Sequence, residues 1–266
     1  MPETPVTDAG FLADWRRWRA AREAALRDPH GFLAVTGLHW LTPEPTRYPD
    51  APGSWWADEE HGVLVELTDG EELRLAGRRR TGRLVVGRLE AGPWRAAFGA
   101  ALLEVAVRGG QFLLRPRHPD HPARTGYAGT PTHRPDPAWV RPGRFLPFAE
   151  PRAVTVPAVL PGLEHVYQAP GQVEFELGGA RHRLTAFNGA GAGLTVLFTD
   201  TTSGASGHRP GRVLALPAPA DDGRLTVDLN RATNPPCAYT EFATCPLPPP
   251  ENRLPVAVAA GERPPG

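Results

Sequence analysis

Apolar residues recur at helical spacing only once along this chain. In FLADWRRWRAAREAALR, Phe11 to Arg27, the residues Phe11, Trp15, Trp18 and Ala25/Leu26 fall near one face. This spacing predicts an amphipathic helix capped by Thr7 or Asp8 and ended by Asp28-Pro29-His30-Gly31. Arg16, Arg17, Arg19, Arg22 and Arg27 fall mostly off the apolar stripe, so the helix is expected to pack on its own domain through Trp15 and Trp18. From Phe32 onward the period shortens. FLAVTGLHWL (Phe32–Leu41) is aromatic and β-branched. VLVEL and EELRLA flank Thr68-Asp69-Gly70, LLEVAV and QFLLR flank Arg108-Gly109-Gly110, and VEFEL and RHRLTAF flank Gly178-Gly179-Ala180, three hairpin signals. RLVVGRL, GLTVLFTD, RVLAL and RLTVDL complete the set. The pattern predicts an all-β fold, a sandwich or a partly open barrel of about a dozen short strands, with the N-terminal helix packed against it.

The stretch 116–152 breaks this rhythm with HPDHPARTGYAGTPTHRPDPAWVRPGRF, few apolar runs and many prolines. It reads as a long connection pinned by Trp139, Phe145 and Phe148. The expected organisation is a helix over 1–30, a first β-rich half over 31–115, this connection over 116–152, and a second β-rich half over 153–266. One continuous domain is also compatible with the pattern.

Composition sharpens the picture. The 32 prolines and 29 glycines among 266 residues suit many turns and disfavour long helices, while 41% hydrophobic residues argue against wholesale disorder. Net charge is zero and every basic charge is an arginine, so no broad electrostatic footprint for nucleic acid exists. No apolar run approaches a membrane span, and MPETPVTDAG lacks the basic and apolar regions of a signal peptide. The expectation is a cytoplasmic protein without nucleic-acid or membrane partners, in which Cys237 and Cys245 are thiols by default.

Several motifs carry no chemistry. FNGAGAGLTV (Phe187–Val196) lacks the G-x-G-x-x-G spacing and precedes a strand, not the helix a dinucleotide needs. SGASGH (Ser203–His208) has His208 where a nucleophile elbow needs glycine, and it sits between strands. His118, His121 and His133 cluster, but prolines after the first two work against a shared helical face, so no metal and no cofactor is expected.

NRATNPPCAYTEFATCPLPPPENRLP (Asn230–Pro255) carries the candidate chemistry. It opens at a strand end and holds both cysteines, three asparagines and seven prolines. Asparagine amides and an arginine fork there can staple a proline-rich crossing, or orient a carboxylate, phosphate or carbonyl ligand. The catalytic candidates are Asp200, Arg231 and Cys237, with Asp200 the expected ionic partner of Arg231. Asn230, Arg231, Asn234, Asp200, Thr201 and Trp40 are the candidate ligand-binding residues.

GFLAVTGLHWL (Gly31–Leu41), LFTDTTSG (Leu197–Gly204) and DLNRATNPPCAYTEFATCPLPPPENRLPVAVAAGE (Asp228–Glu262) resemble the Domain of Unknown Function family 1684 over nearly the whole chain. By that resemblance, Asn230, Arg231, Asn234, Pro235, Pro236, Cys237, Cys245, Pro246, Asn252 and Arg253 match the family's C-terminal motif. Asp200 and Thr201 match its Asp-x-Thr step, and Gly37 and Trp40 its N-terminal motif. SGHRPGRVL (Ser206–Leu214) departs from the pattern, with His208 and Arg209 near the place of a tyrosine. The resemblance implies no reaction. Its members include both cytoplasmic chains and exported lipoproteins, which keeps a Cys237–Cys245 disulfide open. The readings are a small-molecule pocket near the C-terminal motif, enzymatic or not, a non-catalytic ligand carrier, and an interaction protein using the arginine-rich helix. Whether the chain is an enzyme, and its oligomeric state, stay open at this point.

Overall fold

The computed structural model describes residues 8–90 and 92–265. Thr7 and the side chain of Asp8, the two expected caps, lie outside the described residues. The fold is mostly β with one long N-terminal helix, α1 (Asp8–Leu26). Helix α1 ends where expected, and the Asp28 carboxylate accepts the His30 N–H at 2.7 Å. The chain forms two compact units.

The smaller unit comprises 25–128 and 239–244. It holds β1 (His39–Trp40), β2 (Thr46–Tyr48), β3 (Ala51–Asp58), β4 (Gly62–Glu66), β5 (Leu73–Leu75), β6 (Arg78–Arg80), β7 (Arg83–Gly87), β8 (Trp94–Phe98), β9 (Ala101–Arg108) and β10 (Gln111–Arg117). These build two antiparallel sheets, ordered β1-β10-β9-β8-β5-β6 and β2-β3-β4-β7. Trp55, Leu73, Leu103, Val105 and Leu114 are fully buried in a shared core. The β9–β10 hairpin forms as the pattern predicts. Gly109 and Gly110 both take positive φ, 55° and 77°, the pair of left-handed residues that a tight hairpin turn requires. At Thr68-Asp69-Gly70 the turn forms, with the Glu71 N–H on the Thr68 carbonyl, but no hairpin follows. Strand β4 pairs with β3 and β7, whereas β5 pairs with β6 and β8. The Leu67 N–H donates to the Gly82 carbonyl, so the strand beyond β4 stays beside the later segment and the turn releases β5 to the other sheet. Phe32–Leu41 is mostly irregular: a 3-10 turn (Phe32–Ala34) and the two-residue β1.

The larger unit comprises 1–24, 129–238 and 245–266. It holds β11 (Val140–Pro157), β12 (Glu164–Leu177), β13 (Ala180–Asn188), β14 (Leu194–Phe198), β15 (Arg212–Leu216) and β16 (Arg224–Asp228). They form one antiparallel sheet, β15-β14-β13-β12-β11-β16, which curls into a half-barrel with its edge strands β15 and β16 near one another. Strand β11 takes up the latter part of the expected connection despite its four prolines. Its register with β12 breaks between Pro147 and Arg152, a bulge that takes Pro151 out of the ladder. The core runs through Val173, Phe175, Val196, Phe198, Val227 and Leu229, and closes on Leu254 and Val258 from the C-terminal segment.

Candidate functional site

The motif after β16 begins with two 3-10 turns, Leu229–Arg231 and Pro236–Ala238, and continues as irregular chain with turns at 241–242 and 250–251. Thr199 and Leu254 exchange backbone bonds with this chain and β14's end: Thr199 N–H donates to the Asn252 carbonyl and Leu254 N–H to the Thr199 carbonyl. Prolines at 246, 248, 249, 250 and 255 cannot join a ladder as donors. Buried side chains therefore supply the missing bonds. Asn252 is fully buried, accepts the Thr185 N–H at 2.7 Å and donates to the Thr185 and Leu197 carbonyls, both at 2.8 Å.

Asp200 is buried and pairs with Arg212 at 2.5 Å, not with Arg231. The hairpin register explains this correction: β14 pairs with β15 so that Arg212 lies opposite Phe198, two residues before Asp200. Arg212 also donates to the Val258 carbonyl at 3.0 Å and to that of Ala260. Burial would raise the Asp200 carboxyl, but bonds from Thr202 and the Arg212 charge hold it below its ordinary value. Arg231 donates to Asp228 three residues earlier, at 3.0 Å, and to Asp14 of α1, with its guanidinium 5.8 Å from the Trp18 ring centre. Asn230 accepts the Asp136 N–H at 3.0 Å and donates to the Asp136 carbonyl and to Asp228, both at 2.9 Å. The Asn234 backbone N–H donates to Glu262 at 2.7 Å and its amide to the Arg263 carbonyl at 2.7 Å. Exposed Thr201 gives its N–H to the Val256 carbonyl at 3.3 Å. Trp40 belongs to the smaller unit, where its carbonyl accepts the Tyr48 hydroxyl at 3.3 Å. The structure thus gathers Asn230 and Arg231 on Asp228, Asp200 on Arg212, and Asn234 on Glu262.

Cys237 and Cys245 come together. The Cys237 N–H points at the Cys245 sulfur at 3.3 Å. His208 Nε2 lies 3.5 Å from Cys237 Sγ. A shared hydrogen bond with Cys245, followed by burial, pushes the Cys237 thiol up, and burial holds His208 below its ordinary value. His208 is the group that sequence reasoning missed; the only signal was its place where the resemblance departs from its pattern. The three clustered histidines do not converge: His118 Nδ1 accepts the Asp120 N–H at 3.2 Å, His121 Nδ1 meets the Leu33 carbonyl at 3.0 Å, and the His133 N–H donates to the Gly261 carbonyl at 3.0 Å. Among the described residues, no three His, Cys, Asp or Glu side chains are grouped to hold a metal ion.

The family described as "Protein of unknown function (DUF1684)" matches residues 125–263. The chain belongs to the DUF1684 family. It is also 32% identical to an uncharacterised protein of Haloarcula marismortui, solved by NMR, over 53% of this chain and 78% of that one, with a TM-score of 0.44. No curated protein matches.

The DUF1684 match spans β11 to β16, the polar frame and both thiols, and it also spans a charged cleft. On adjacent strands Arg224 faces Arg144, Arg144 faces Glu174, and Glu174 faces Arg183. Period-two alternation puts these four side chains on the face opposite the buried Val173, Phe175 and Val227. Arg144, Arg181 and Arg224 line a cleft of about 1090 Å³ over this face, walled by Pro217 and Ala218. Arg181 and Arg183 bond to Glu174 or Glu176, and Arg224 to Asp222, whereas exposed Arg144 has no ion pair with a described residue.

Proposed function

We propose that this DUF1684 chain is a non-catalytic binding protein for a small organic anion, held in the Arg144–Arg181–Arg224 cleft. One observation carries the reading: Arg144 and Arg224 are directly opposed on β11 and β16 within the cleft. Like charges at opposed positions destabilise a sheet, and a carboxylate or phosphate bridging two guanidinium forks removes that repulsion. The wall of Pro142, Pro217 and Leu225 suits a ligand with an apolar body. Asn252 and the Asn234 amide nitrogen bond backbone groups, and Asn230 bonds the Asp136 backbone and the Asp228 carboxylate, which supports a role for that motif as the frame behind the sheet.

Two charge-assisted contacts contribute about 3–6 kcal/mol together, which corresponds to dissociation constants from several millimolar to tens of micromolar. Thermal shifts with citrate, inorganic phosphate and a phosphomonoester, at fixed ionic strength, are the test. A shift is expected above that of a chloride control, and it disappears in Arg144→Ala and in Arg224→Ala. Shifts no larger than those of chloride, or unchanged in both variants, would overturn the reading.

A further inference from the structure

We propose that Cys237 and Cys245 form an oxidisable dithiol, with His208 as the base that admits a peroxide, and that its product is an internal disulfide. Three observations on the molecule carry this. The Cys237 N–H points at Cys245 Sγ at 3.3 Å although the residues are eight positions apart, which sets the two thiols side by side. Cys237 is half-buried, whereas Cys245 is 6% exposed. An oxidant therefore meets Cys237 first, and Cys245 stands behind it. His208 Nε2 lies on Cys237 Sγ at 3.5 Å. With its proton on Nδ1, the imidazole is neutral and accepts at Nε2, a state its burial favours.

The chemistry balances with hydrogen peroxide as oxidant. As the Cys237 sulfur attacks the near peroxide oxygen, its proton passes to His208, and the departing hydroxide takes that proton to leave as water. Cys237 is then a sulfenic acid. The Cys245 sulfur displaces the sulfenic hydroxyl, the S–S bond forms, and the Cys245 proton leaves with the hydroxyl as a second water. Two thiols are oxidised by two electrons and one peroxide is reduced. A thiol whose proton is held tightly is a poor nucleophile unaided, so the base beside it decides the rate.

The position of the pair gives the step a structural effect. The chain leaves the larger unit after Ala238 and re-enters it at Cys245. The segment between, Tyr239–Thr244, belongs to the smaller unit, where the Tyr239 ring meets Phe32 and Tyr127 at centre distances of 5.3 and 6.3 Å. A disulfide ties the two ends of that excursion together, and reduction frees them.

The test is a hydrogen peroxide titration of the reduced full-length protein, read by thiol counting after denaturation and by intact mass. Wild type is expected to lose both thiols together and two hydrogens in mass, with no covalent link between chains. Cys245→Ser should stop at a sulfenic acid on Cys237 that a dimedone probe traps. Cys237→Ser should leave Cys245 unlabelled by the same probe. His208→Asn should slow the wild-type reaction at least about tenfold, the lower edge of what a positioned base contributes. A disulfide joining two chains, oxygen added to Cys245 with Cys237 untouched, or no loss of thiols at peroxide levels that oxidise free cysteine would overturn the proposal. A rate unchanged by His208→Asn would remove the base from it.

Discussion

Asn252 satisfies three buried backbone groups with one carboxamide, so no other side chain can replace it. Asn252→Asp keeps the shape but cannot donate to the Thr185 and Leu197 carbonyls, and Asn252→Ala leaves all three groups unpaired. Each unpaired buried group costs about 1–3 kcal/mol, so both variants should lose roughly 3 kcal/mol or more, read as a lower urea midpoint. Asp200→Asn leaves the buried Arg212 charge uncompensated and should cost about 3–5 kcal/mol. The histidines add a pH dependence. Burial, then the charges of Arg212 and Arg263, hold His133 below its ordinary 6.5, and burial does the same for His208. The unfolded chain binds protons at these sites before the folded one does. Their contribution is therefore complete above 6.5 and falls away as pH drops through the folded values. His133→Gln should flatten that acid limb of the urea midpoint. At this scale the sequence shows which residue types gather, and it places both Asn252 and the thiol pair in one motif. It does not show partners set by strand register: the hairpin gives Asp200 to Arg212, and nothing local to Arg231 could have revealed that.

Helix α1 illustrates the same limit one level up. Its existence and ends are legible because a 3.6-residue period and a stop signal are both local. Its binding face is only partly legible. Trp15 does reach inward, its indole N–H on the Asn230 carbonyl at 3.3 Å, with Trp18 beside it. Two of the arginines that fall off the apolar stripe also turn inward. Arg19 and Arg22 donate to Glu262, whose side chain is fully buried, and Arg22 reaches the Asn234 carbonyl as well. Glu262→Gln should therefore destabilise by about 3–5 kcal/mol, since it strips the carboxylate from two guanidinium groups, and denaturant unfolding would show it. Trp15→Ala and Trp18→Ala should each cost less than the ~3–5 kcal/mol of a fully buried aromatic, because both rings are only partly buried. Among the strands, alternation found those with unbroken apolar periods and two of the three hairpins. It missed the short β2, β6 and β8, and also β3, whose Pro52 and Gly53 interrupt the pattern, and β11, whose prolines sit beside a bulge.

The two units differ in how they draw on the chain. The ten strands of the smaller unit all lie within 39–117, whereas the larger unit joins α1, the strands from 140 to 228 and the segment after 245. Local patterning recovers an all-β molecule with an N-terminal helix but cannot show such a discontinuous unit, since the joining contacts link residues more than two hundred positions apart, such as Arg19 and Glu262. On the ribosome this discontinuity becomes a matter of timing. The sheets of the smaller unit have all their strands once residue 117 has emerged. Asp200 and Arg212 must wait for Val258 and Ala260, Thr185 for Asn252, and α1 for Glu262. At roughly 5–20 residues per second, the half-barrel spends several seconds as complete strands around polar groups with no partner. Nascent chains stalled shortly before residue 252 leaves the exit tunnel should resist protease over the β1–β10 segment while β11–β16 is still cut, and both should resist once Glu262 is out. The last dozen residues of the match act as a latch, and a cell making this protein has an interval in which the larger unit is open to chaperones.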